Sequence, residues 1–143
     1  MQPGHRSEVV VNGGTAGLPG RTIRAAVAHV LRGERRHARV GVTFLGKLQM
    51  RQLNAAYLAH DRPTDVIAFS LPQPDGTLAG DICVCRYVAA RNARQHASSV
   101  REELLRLVVH GTLHVLGWDH PTGPTRIRSP MWRRQEKYVA ALR

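Results

Sequence analysis

The stretch VVHGTLHVLGWDH, Val108 to His120, decides how the chain is read. His110 and His114 are four residues apart, so in a helix of 3.6 residues per turn their side chains share a face. Gly117 follows, and a glycine there ends a helix through a left-handed residue at no Cβ cost. The chain then turns back, and His120 can meet the other two. Three imidazole nitrogens around one point leave one tetrahedral position open, the pattern of a catalytic rather than a structural zinc site. Zinc suits three nitrogens best; iron, nickel and copper are compatible with the same donors. Asp119, beside the third ligand, has two main roles open to it: accepting from a ligand imidazole, or capping the loop. Direct ligation is a lesser third.

Working back along the helix, Ser99-x-x-Glu102 is a capping-box pattern that marks its start. Glu103 is seven residues before His110 on roughly the same face, about 10.5 Å along the axis. It is too distant to ligate and reads as a supporting residue. The histidine spacing resembles that of the metzincin peptidases, whose first ligand is followed by a glutamate general base. Here that residue is Gly111, which disfavours proteolysis.

Outside this stretch, period-two and helical patterns alternate. Val9–Val11, Val40–Leu45, Val66–Ser70 and Gly80–Cys85 read as strands. Arg21–Arg32, Lys47–His60, Tyr87–Gln95, Val100–Leu116 and Met131–Leu142 read as helices. The segment PTGPTRIRSP after His120 is too rich in Pro and Gly for an element. The expected fold is α/β (α+β), a mixed four-stranded sheet packed by helices with the metal site in a cleft. Cys83 and Cys85, with one residue between them, are expected on opposite faces of their strand and unpaired.

The 143 residues, 43% hydrophobic, fit one domain over 1–143. No apolar run is long enough to span a membrane, and the N-terminus lacks the apolar core of a secretory signal, so the expected location is the cytoplasm. Lys and Arg number 21 against 10 acidic residues, a net charge of +11, and nearly all of the basic residues are Arg. Such an excess favours a polyanionic partner, and Arg matches phosphate geometry better than Lys.

The motifs together resemble the YbeY family, zinc-dependent endoribonucleases of ribosomal RNA maturation once grouped as predicted metalloproteases. The core of the resemblance is HGTLHVLGWDH at 110–120, with Trp118 where tyrosine is common. LNAAY at 53–57, PTDVIAFS at 63–70, GDICV at 80–84, EELLRLVVHG at 102–111 and MWRRQE at 131–136 support it in the same order. The resemblance implies one Zn2+ held by His110, His114 and His120. It also implies cleavage of single-stranded RNA, trimming toward the 3′ end of 16S ribosomal RNA, and quality control of 70S ribosomes. The implied partners are ribosomal RNA and the ribosome or its small subunit.

Two departures qualify the resemblance. Leu58 stands where the family carries an arginine implicated in activity. Arg62 is near enough in sequence to take that place, and with His114 it is a catalytic candidate; an ordinary turn arginine is the other reading. The loop after His120 carries Arg126 and Arg128, candidate RNA contacts, where the family often has acidic residues. Besides a ribonuclease, a non-catalytic RNA- or ribosome-binding module fastened by zinc and, less readily, a peptidase fit the pattern.

Overall fold

The computed structural model describes residues 7–15, 17–58, 64–71 and 73–143, with Leu58 described in its backbone only. Four strands form one mixed sheet: β1 (Glu8–Asn12), β2 (Ala38–Leu45), β3 (Val66–Ser70) and β4 (Leu78–Cys85). Their order is β1-β2-β4-β3, with β1, β2 and β4 parallel and β3 antiparallel to β4. Five α-helices complete the described fold: α1 (Gly20–Glu34), α2 (Lys47–Leu58), α3 (Arg86–Gln95), α4 (Val100–Val115) and α5 (Pro130–Leu142). The expected end of α2 at His60 falls outside the described residues.

Strand alternation divides the core in two. Val40, Val42 and Phe44 of β2 and Ile82 and Val84 of β4 face α1, α4 and α5, where they join Ile23, Val27, Val30, Leu104, Val108 and Leu113. On the opposite face, Met50 of α2 packs with Ile67, Cys85 and Val88, and with half-buried Cys83. Both cysteines therefore face the same side, against the expectation of opposite faces. Residues two apart in a strand always share a face, so the error was in the period. They are unpaired thiols, as expected.

The loop after His120 also departs from expectation, because Pro124–Arg128 forms a 3-10 turn. Pro124 sits at its start, where a missing N–H costs nothing, and Gly123 precedes it with φ +84°. Pro130 and the Ser129 side chain, which accepts from Trp132 N at 3.2 Å, then start α5.

Helix α4 lies unusually close to β4 because each supplies a glycine to the contact. A Cβ on Gly111 would come 2.5 Å from Ile82 Cγ2, and one on Gly80 would come 2.5 Å from Val115 Cγ2. Gly111 therefore points into the sheet. A glutamate there would clash with Ile82 and point away from the histidine face, so this position cannot supply a general base.

Candidate metal centre

Helix α4 begins as its sequence predicts. Ser99 Oγ accepts from Glu102 N at 3.0 Å, while the Glu102 carboxylate turns to Ser98 Oγ, Arg106 and Arg143 instead of closing the box. The helix ends in a Schellman motif: Trp118 N donates to Leu113 O at 3.0 Å and Gly117 N to His114 O at 2.9 Å. Gly117 has φ +101°, the backbone turn that brings His120 back beside the helix.

The three rings meet. One ring nitrogen from each of His110, His114 and His120 lies within 4.8 Å of the other two. The ring centroids are 4.6, 5.0 and 5.1 Å apart, nearly an equilateral triangle.

The far sides of two of the rings are tied down. His110 Nδ1 lies 2.6 Å from Gln135 Oε1. Gln135 Nε2 donates to Glu136 Oε2 at 3.0 Å, which fixes the amide with its oxygen toward the imidazole, so Nδ1 must carry the proton. His120 Nδ1 donates to Pro121 O at 2.8 Å by the same logic. In His110 and His120 the Nε2 lone pair is thus left free for a ligand. This donor set fits a zinc ion with three protein ligands.

Burial favours the neutral form of His110 and His114, the form a metal needs. Burial pushes the His110 imidazole down to about 4, against a smaller upward pull from its bond to Gln135. Burial, then the proximity of His120, lowers His114. Behind His110 the support continues: Arg106 Nε and Nη2 each donate at 2.8 Å to the two oxygens of Glu136. Glu103, buried one turn before Arg106, is ion-paired to it at 3.4 Å, which places Glu103 in the support rather than at the cluster.

The other sequence candidates are placed less uniformly. Asp119 Oδ1 accepts from His120 N at 2.8 Å, the loop-capping role, and no bond from it to an imidazole is seen. Arg126 lines a cavity of about 420 Å³ that also includes His110, Gln135, Trp132 and Asp65, and its guanidinium stands 5.8 Å from the Trp132 ring. Arg128 is exposed, and its carbonyl accepts from Arg133. Arg62 lies outside the described residues.

A family model described as "Endoribonuclease YbeY" matches residues 17–143. The chain belongs to the YbeY family. Named relatives agree: the endoribonuclease YbeY of Chloroherpeton thalassium is 33% identical over 126 residues, covering 87% of each chain. That of Xanthomonas oryzae is 37% identical over 113 residues, covering 73% of this chain and 70% of its own. The solution structure of TM1509 from Thermotoga maritima superposes with a TM-score of 0.66 at 29% identity, covering 94% of this chain and 88% of that one.

Sequence reasoning missed two features of this YbeY chain. Gln135 was visible only as part of the MWRRQE match, although its place between Met131 and Tyr138 on the buried stripe of α5 marks a polar residue facing the core. Glu34 gave no local signal. Its carboxylate, 6% exposed, accepts from Trp118 Nε1 at 2.7 Å and from Tyr138 OH, and pairs with Arg134 Nε at 3.0 Å. Its partners lie 84, 100 and 104 residues away, beyond any pattern in sequence.

Proposed function

We propose that this YbeY protein is a zinc-dependent endoribonuclease for single-stranded RNA, acting in 16S ribosomal RNA 3′-end maturation and in 70S ribosome quality control. The observation that carries the reading is the convergence of three imidazoles, two of them held by a hydrogen bond at Nδ1, in a chain of net charge +11. The relatives named as endoribonucleases supply the chemistry to which such a centre is put. Cytoplasmic location follows from a ribosomal substrate, and no helix among the described residues is long and apolar enough to cross a membrane.

His110, His114 and His120 would hold the ion. Bound there, zinc supplies a water of lowered pKa and polarises a phosphoryl oxygen. The protein's own part is orientation and charge. Gln135 and Pro121 fix the tautomers of the first and third ligands, and Arg126 stands where a phosphate beside His110 could be met. Arg128 and Arg62 are further candidates for backbone contacts. Among the described residues no acidic side chain joins the three rings, and Gly111 faces the sheet. With no carboxylate at the cluster itself, the candidate nucleophiles are the RNA 2′-hydroxyl and a water directed by substrate.

Cleavage of a single-stranded RNA by wild type, His114→Ala and Leu58→Arg tests the reading. Wild type should cut, and His114→Ala should lose cutting while staying folded and still binding RNA. A 2′,3′-cyclic phosphate on the product identifies the 2′-hydroxyl as nucleophile; a linear phosphate end that never passes through the cyclic form excludes it. Faster turnover by Leu58→Arg would expose a catalytic deficit at that position. The absence of a carboxylate at the cluster favours one second reading, a binding module in which zinc only fastens the 110–120 turn. Unfolding of His114→Ala with no cleavage by wild type would select it.

A further inference from the structure

We propose that Arg134 binds a backbone phosphate of single-stranded RNA at the loop that leads from Trp118 to His120, with Glu34 and Trp118 positioning its guanidinium. This rests on the RNA reading above. Arg134 and Gln135 are neighbours on α5 and reach opposite ends of the cluster's support. Gln135 bonds His110, while the Arg134 guanidinium stands 5.4 Å from the centre of the Trp118 ring, two residues before His120. The side chain therefore borders the loop that carries the third ligand.

Its anchoring is one-sided. Nε lies 3.0 Å from Glu34 Oε2, off the line of a straight hydrogen bond, and the two Nη groups bond nothing among the described residues. The Arg134 side chain is 40% exposed, against 6% for Glu34. One carboxylate accepts from Trp118 and Tyr138 and pairs with Arg134 on its inner edge alone. Burial and then the bond to Glu34 push the Tyr138 phenol up to about 12, so it remains a donor to that carboxylate.

An arginine held on one side by an ion pair and an aromatic ring has already lost part of the rotamer freedom that phosphate binding removes. Its outward edge presents the paired donors that suit a phosphate. A clamp that merely joined α1 to α5 would need the inner edge alone.

The test is binding of a fluorescein-labelled, mixed-sequence 2′-O-methyl single-stranded oligonucleotide to the full chain, by anisotropy across a salt series. Thermal midpoints are measured alongside. Loss of one phosphate contact in Arg134→Gln should weaken binding and reduce the slope of log K against log salt by about 0.7. Arg134→Lys, which keeps the charge without the planar fork, should keep the slope and bind less tightly than wild type. A wild-type slope in folded Arg134→Gln overturns the assignment and leaves the RNA reading standing. Absence of salt-dependent binding by wild type overturns both.

Discussion

His110 and His120 reach the same point by opposite means. His110 sits in the body of α4, with its Nδ1 held by a buried side chain that is itself held by Glu136 and Arg106. His120 sits on a loop, bonded to the carbonyl of the next residue, and its loop is fastened at one remove through Trp118 and Glu34. The first histidine of the cluster is placed by the core and the third by a turn. Damage to the helix side should therefore lower stability and metal affinity together. Damage to the loop side should lower metal affinity more than its stability cost implies.

The largest effect on that comparison is expected from Gln135→Leu. Gln135 is 1% exposed, and leucine would leave the buried His110 Nδ1–H without an acceptor. Loss of such a partner typically weakens metal binding roughly 10–100-fold. An orphaned buried donor costs about 1–3 kcal/mol of stability besides. Competition against a chromophoric chelator and urea unfolding of the metal-free protein measure the two. Unchanged metal affinity would show that helix geometry alone aims His110.

Gly111→Ala comes next. Its Cβ would lie 2.5 Å from Ile82 Cγ2, so α4 must shift or Ile82 must leave its rotamer. Overpacking of this kind costs about 1–3 kcal/mol. The shift moves His110 and His114 together, so the pair should keep its spacing while its distance to His120 changes. Urea unfolding should show the stability loss, and chelator competition should show a matching fall in affinity.

How far the sequence revealed these features follows from how local their causes are. The α4 start, the Gly117 turn and the convergence of the histidines depend on residues within a few positions of one another, and the sequence showed them. The sheet order was not legible, because β2 and β4 meet across α2 and β3. Gly111 was read for the carboxylate it lacks, yet its position is set by Ile82, 29 residues away. The cysteine pair was misplaced although period two alone decides it. The Glu34 knot joins three segments that only the fold brings together.

The two histidines on α4 carry a pH response of their own. Burial holds the His110 imidazole down to about 4, whereas an unfolded histidine takes its proton near 6.5. Between those values the unfolded chain binds a proton that the folded chain refuses, so stability falls as pH drops through that window and is level above it. His114, lowered by burial and then by His120, adds in the same direction. Urea midpoints of metal-free protein across pH 4 to 7 should show the decline, and Gln135→Leu should not abolish it, because desolvation outweighs the bond to Gln135. A midpoint that rises on acidification would contradict the burial of His110.

Gly117→Ala is the smallest perturbation and the sharpest test of the loop side. Nothing lies within 4 Å of the added Cβ, so the cost is conformational alone, that of a left-handed residue at φ +101°. For a residue with a Cβ it is about 1–2 kcal/mol. Part can be relieved by opening the turn, which breaks the bonds from Gly117 N and Trp118 N to α4 and swings His120 away. Metal affinity should then fall further than stability, opposite to Gly111→Ala, where both fall together. Asn tolerates the left-handed region better than Ala, so Gly117→Asn should recover much of the affinity. If Gly117→Ala lost stability and kept full affinity, Trp118 on Glu34 would be holding His120 without the turn, and the loop would be as firmly placed as the helix.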